Sequence, residues 1–314
     1  MRRFWLGLAV ASALSACGGG NPFNTDNDDD TDTGSDTSTD TDTGSTVPAS
    51  VAGDVISVNY VSSDDTIFIT GIANDDVPYT RNAALDRTGS DGSVYQAYTY
   101  QEHSQAPHST AYFREMEGGY AMVVATGNGP SGYYMSGTHF GSDGSFTAPT
   151  DGDGDPLGAV SYAGTYIGLL NVAGSGEDLL PTDAGTDPSL IPSQVAEVTG
   201  DVFILADFGT DGAIDGRIYN RTVVDDPGTS VADLELVPTS IGSDGTFEGT
   251  VEVGTESVGS YAGVFTGDGA TAVAGTVYAT DHISDYGSDV IEYGAFVIGQ
   301  CATTSSHSDC PSDE

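Results

Sequence analysis

From Val51 onward the chain is written in short runs that alternate large and small side chains, each cut by Gly, Asp, Ser or Pro. No long stretch repeats its apolar residues with the 3.6-residue period of a helix. A chain of this kind must bury its apolar faces between strands, which predicts an all-β fold with almost no helix. The composition agrees, because 43 glycines and 16 tyrosines describe a core made of small residues and rings.

The runs fall into two groups. In the first, 55–60 and 66–70 flank Ser62, Ser63, Asp64 and Asp65 as a hairpin, and 94–100, 111–114, 120–126 and 133–139 read as further strands. After Pro156 eight strands are expected, at 161–171, 201–208, 213–221, 233–241, 245–253, 259–267, 270–279 and 290–299. Eight antiparallel strands can close into a small barrel filled by side chains. The longest insertion, 173–200, holds Pro181, Pro188 and Pro192 and reads as an exposed loop of the kind that carries function.

Two motifs recur about a hundred residues apart. Gly141-Ser-Asp-Gly-Ser-Phe146 returns as Gly242-Ser-Asp-Gly-Thr-Phe247, and Ser161-Tyr-Ala-Gly-Thr-Tyr-Ile-Gly168 returns as Ser260-Tyr-Ala-Gly-Val-Phe-Thr-Gly267. Two copies are too few for a solenoid, so the expectation is one hairpin design used twice. Within the second motif, period 2 puts Tyr162, Gly164, Tyr166 and Gly168 on one face and Ala163, Thr165 and Ile167 on the other. Glycine lets a strand coil sharply while a neighbouring ring covers the bare backbone, a device of small barrels.

Charge and missing residue types exclude several functions. The formal charge is −40 and all seven basic residues are arginine. Without lysine there is no P-loop or kinase lysine and no Schiff-base or Ser-Lys chemistry. The acidity argues against nucleic acid and against an anionic membrane surface. Asp207-Phe208-Gly209 is therefore a strand end entering the turn at 210–212, and no Gly-x-Ser-x-Gly elbow occurs. Asp32-Thr33-Gly34 and Asp42-Thr43-Gly44 lie in a low-complexity tract and are not read as protease triplets.

Asp151, Asp153 and Asp155 have the alternating acids of a calcium loop, but Pro156 and Tyr162 stand where an EF-hand needs glycine and a bidentate glutamate. The alternative is an acidic linker. His103, His108, His139, His282 and His307 read as surface histidines, and no other cofactor is expected. Arg217 and Arg221, four apart on one strand, are expected on one face in ion pairs inside the barrel or at its rim, or in an anion-contacting patch.

The N-terminus adds an address. Arg2 and Arg3, an apolar stretch from Phe4 to Ala13 and then Leu14-Ser15-Ala16-Cys17 read as a signal peptide over 1–16, and Leu-Ser-Ala-Cys is similar to the lipobox of bacterial lipoproteins. That resemblance implies a lipid on Cys17, an anchor that holds the chain on a membrane without a transmembrane helix. Gly18 after the cysteine favours the outer membrane. Residues 17–50, nearly all Asp, Thr, Ser and Gly beyond Pro22, are expected as a disordered tether with a reach of about 30 Å. Cys301 and Cys310, in an exported chain, should pair and close the tail, 301–314.

The succession Tyr162-Ala-Gly-Thr-Tyr-Ile-Gly-Leu-Leu-Asn171, Ala206-Asp-Phe208, Gly216-Arg-Ile-Tyr-Asn-Arg221, Phe247-Glu-Gly249, Tyr261-Ala-Gly-Val-Phe-Thr-Gly267 and Val273-Ala-Gly275 resembles the barrel domain of transferrin-binding-protein-B-like surface lipoproteins. The resemblance covers 156–300. It implies an eight-stranded antiparallel barrel preceded by a smaller β handle-like region, here 51–150, displayed on the outer surface of a Gram-negative cell. It further implies non-catalytic binding of an extracellular protein or iron carrier through barrel and handle loops. The host-receptor members carry two such lobes and this chain has room for one, and no binding residue can be carried over from barrel-wall motifs. The alternative reading is an acidic structural or adhesive envelope protein, calcium-dependent if the Asp151 loop takes a cation.

Overall fold

The computed structural model describes residues 47–127, 133–209 and 212–311. The expected signal peptide, Cys17 and the tether up to residue 46 lie outside the described residues. After one helical turn, α1 (Ala49–Ala52), the chain is antiparallel β.

The first sheet comprises β1 (Ser57–Val61), β2 (Thr66–Thr70), β3 (Pro78–Arg81), β4 (Arg87–Thr88), β5 (Val94–Tyr100), β6 (Ser109–Met116), β7 (Gly119–Thr126) and β8 (Met135–Ser142). They run in the order β1-β2-β3-β5-β6-β7-β8, with β4 on β5, and a bridge between Gly53 and Gly137 leaves the sheet nearly closed. The second sheet comprises β9 (Ala159–Ala173), β10 (Val195–Asp207), β11 (Ala213–Val223), β12 (Leu234–Ser240), β13 (Thr246–Val253), β14 (Glu256–Thr266), β15 (Ala272–Thr280) and β16 (Ile291–Gln300). Pairing of β9 with both β10 and β16 closes it into a barrel. An eight-stranded barrel preceded by a smaller β region is the arrangement the barrel motifs imply.

Strand alternation sorts the side chains into three cores. Tyr162, Tyr166 and Leu170 of β9 point into the barrel with Phe247, Tyr261, Phe265 and Phe296. The opposite face of β9, with Ile167 and Leu169, joins Ala262, Val264, Ala274, Ala295 and Val297 on the outer wall, where Tyr112, Ala121, Val123, Ala125 and Phe140 of the first sheet cover them. The far face of that sheet encloses Ile67, Ile69, Tyr79, Tyr98, Phe113, Met122 and Val124. Strand β9 is thus buried on both faces, which is why its sequence is apolar at both parities. At about 1.5–3 kcal/mol for each fully buried large apolar side chain, the shared wall is a major source of stability and joins sheet and barrel into one folding body.

Rings do lie over glycines of neighbouring strands. A Cβ on Gly294 would overlap the Tyr166 hydroxyl, and one on Gly249 would overlap the Tyr261 ring. The repeated Gly-Ser-Asp-Gly motif behaves differently in its two copies. The second forms the turn between β12 and β13, with the Gly245 amide donating to the Gly242 carbonyl at 3.0 Å. The first is not a hairpin, because it leaves the end of β8 and crosses to the barrel. Both copies nonetheless deliver a phenylalanine to the same ring, Phe146 at 6.2 Å and Phe247 at 5.5 Å from Phe265.

Strands β3 and β4 were not expected. They are 4 and 2 residues long, too short to show an alternation, and β3 begins at a proline. The long insertion is shorter than expected, since β10 starts at Val195 and pairs with β9 from there. Its first residues alternate no more clearly than a loop would, because Val195, Ala196, Glu197 and Val198 are all buried between the barrel core and the first sheet.

Candidate functional site

Apolar side chains fill the barrel interior around a buried polar cluster. The Glu292 carboxylate of β16 accepts from the Tyr166 hydroxyl at 2.6 Å, from Arg221 Nη2 at 2.5 Å and from His282 Nε2 at 2.8 Å, with the Arg221 and Glu292 side chains wholly buried. Burial pushes the Glu292 carboxyl up, but the guanidinium of Arg221, the imidazole of His282 and the Tyr166 hydroxyl outweigh it and hold it at about 2. Arg221 Nη1 donates to the Ala232 carbonyl at 2.5 Å, while Arg221 Nε and His282 Nδ1 are buried with no partner among the described residues. A carboxylate held ionised by a guanidinium stabilises and specifies the barrel; it offers no acid, base or nucleophile to a substrate.

The expectation that Arg217 and Arg221 share a face is corrected. Arg217 is exposed with its guanidinium over the Tyr219 ring, whereas Arg221 points into the barrel. The pairing of β10 with β11 shifts between Thr199 and Asp201, and Asn220 takes a left-handed φ of 52°. This β-bulge inserts one residue into β11 and inverts the alternation beyond it.

Three of the histidines expected at the surface are buried: His108, His282 and His307. His108 Nε2 pairs with Asp178 of the β9–β10 loop at 2.8 Å, and Asn82 Nδ2 donates to the other oxygen of Asp178 at 2.7 Å. Burial pushes the Asp178 carboxyl up, but the His108 hydrogen bond and the polar groups around it hold it below the ordinary aspartate range. The Asp178 and Leu180 amides donate to the side-chain carbonyls of Gln194 (3.0 Å) and Gln101 (2.7 Å), and the Tyr134 hydroxyl lies 3.5 Å from that of Ser193. Loop 174–194 is thereby fixed to the first sheet at both ends. Between those ties it exposes Leu180, Leu190 and Ile191, and Tyr133 beside Tyr134 is 76% exposed.

Cys301 and Cys310 form a disulfide with Cα atoms 5.2 Å apart. The loop it closes reaches further than the exit of β16: Thr304 donates to the Thr271 carbonyl, Ser305 to the Ala163 carbonyl, and Tyr219 to Asp309. Asp151 accepts the amides of Asp153 at 2.9 Å and Asp155 at 3.0 Å in a tight turn closed by a bridge between Thr150 and Pro156. Among the described residues no three His, Cys, Asp or Glu side chains converge as metal ligands. Asp207 ends β10 and accepts the Gly209 amide at 2.7 Å.

No protein-family model matches the sequence, and no curated protein does. Among solved structures, the chain is similar to a double mutant of transferrin-binding protein B from Haemophilus parasuis, at 13% identity over 76% of this chain and 43% of that one, with a TM-score of 0.37. It is similar to the intact N and C lobes of Ap-TbpB at 12% identity over 77% and 51%, with a TM-score of 0.35. It is also similar to a surface lipoprotein at 14% identity over 81% and 100%, with a TM-score of 0.33. The chain spans about half the length of the two transferrin-binding proteins.

Proposed function

We propose that the chain is a lipid-anchored protein of the outer membrane, displayed on the cell surface, which binds an extracellular protein or iron carrier without catalysing a reaction. The observation that carries this reading is the β9–β10 loop. It is tied through Asp178 and Leu180 to a rigid body of two fused sheets, and it presents Leu180, Leu190 and Ile191 to solvent. Loops that hold exposed apolar groups on a rigid frame are built for recognition, because little conformational freedom is lost on binding. Residues 174–194 contain Glu177, Asp178, Asp183 and Asp187 and no basic residue, so the complementary partner has an apolar patch rimmed by arginine or lysine. The lipobox and the Asp-rich tether support display at a distance from the bilayer.

The test is protease shaving and antibody accessibility on intact cells, comparing the native chain with a Cys17→Ser form. The expected result is that the native protein is shaved and the serine form is lost from the surface. A native protein that stays protected until the envelope is opened sinks the surface-binding reading.

A further inference from the structure

The bulge that turns Arg221 inward has a second product on the outside of the wall. Where β4 and the β4–β5 turn meet β9, β10 and β11, a cavity of about 230 Å³ is lined by Arg87, Ser90, Tyr95, Thr165, Asp201 and Asn220, among others. Asn220, in its left-handed conformation, directs Nδ2 onto Asp201 Oδ2 at 2.8 Å. Asp201 Oδ1 accepts from Ser90 at 2.8 Å and faces His307 Nε2 at 3.3 Å. Arg87 is held from behind, its Nε donating to the buried Glu197 at 2.5 Å. The bulge therefore sets the Asn220 amide against a carboxylate at the edge of a polar cavity.

We propose that this junction cavity binds one neutral polyhydroxylated ring, a single monosaccharide unit. Size sets the first limit, since drug-sized pockets start at about 300 Å³ and this one admits a single small ring. Chemistry sets the second. The Arg87 guanidinium and the second Nδ2 hydrogen of Asn220 serve as donors beside acceptors on Asp201 and the Asn220 side-chain carbonyl, and adjacent hydroxyls, each both donor and acceptor, satisfy such a mixed set. Charge sets the third. Arg87 is already neutralised by Glu197 and Asp201 adds an anion, in a chain of formal charge −40, so an anionic ligand is disfavoured. The site is separate from loop 174–194, so it stands or falls independently of the surface-binding reading.

The experiment uses ligand-observed saturation-transfer NMR on the purified chain with glucose, galactose and N-acetylglucosamine at millimolar concentration, and glucuronate as the anionic comparison. At least one neutral sugar is expected to bind with a millimolar Kd and more tightly than glucuronate. Asn220→Gly accepts the positive φ and removes the side-chain amide, so its melting temperature should stay within a few degrees of the parent's while binding weakens about tenfold, the scale of one lost hydrogen bond. Asp201→Asn, which keeps the shape and removes the charge, should weaken it similarly. Failure of all three neutral sugars to bind overturns the proposal. So does tighter binding of glucuronate, or an Asn220→Gly protein that binds as the parent does.

Discussion

Replacing Glu292 by glutamine tests the account of the barrel interior, because the change keeps the side chain's shape and removes only its charge. At neutral pH it leaves the Arg221 guanidinium buried without a counterion. Removing one partner of a buried ion pair costs about 3–5 kcal/mol, far more than the pair contributes relative to an apolar replacement. The pH dependence supplies a second, independent magnitude. The Glu292 carboxyl lies at about 2 in the folded protein against an ordinary 4.5. A depressed folded value gives stability that is fully present above the unfolded value and is lost as pH falls from about 4.5 towards 2. A shift of that size corresponds to roughly 3 kcal/mol.

The assay is urea unfolding of the parent and Glu292→Gln at pH 6 and at pH 2.5, read as the difference between the two proteins at each pH. Taking the difference matters, since protonating the many surface acids relieves self-repulsion in both chains and moves both stabilities together. The gap should be about 3–5 kcal/mol at pH 6 and shrink by most of 3 kcal/mol at pH 2.5. A gap that is the same at both pH values refutes the reading, because it would mean that Glu292 is not held as an anion by Arg221.

Leu169, on the barrel's outer wall under the first sheet, should cost about 2–5 kcal/mol when cut to alanine, and near-ultraviolet and far-ultraviolet melts should still coincide because sheet and barrel share that core; two separate transitions would contradict a single body. Changing Cys301 and Cys310 together to serine should lower stability by about 2–3 kcal/mol from the loop of 9 residues alone, measured by urea unfolding under non-reducing conditions. His108→Ala should leave the melting temperature within a few degrees while speeding limited proteolysis within 174–194, since it releases the Asp178 anchor; an unchanged cleavage rate would show that the loop is held by other contacts.

The regular part of the fold was legible because it rests on short-range pattern. The alternation put Tyr162, Gly164, Tyr166 and Gly168 on one face, which the structure turns into the barrel, and short apolar runs between turn residues marked all eight barrel strands. The polar contacts were not legible, because they join residues far apart in the chain. Arg221 and Glu292 are separated by 71 positions and His108 and Asp178 by 70, and only the closure of the barrel and the docking of the loop bring them together. Burial on both faces also hides a strand: at 195–198 the first sheet covers what would otherwise be a solvent side, so the alternation that announces a strand is missing.

The misplacement of Arg221 is more instructive, because its signal was present in the sequence. Asparagine tolerates the left-handed conformation better than most residues, and Gly200 lies across the ladder from Asn220, where it leaves room for the extra residue beside the Tyr219 carbonyl. Had β11 been regular, Arg217, Tyr219 and Arg221 would all face outward and Glu292 would have no guanidinium to hold it. One inserted residue therefore divides the strand's side chains between two tasks: Arg221 turns inward to the barrel's buried carboxylate, and Asn220 turns outward to Asp201 at the junction cavity. The same bulge that makes the interior ion pair possible builds the wall of a polar site on the surface, which is why that surface merits testing even though no short motif announces it.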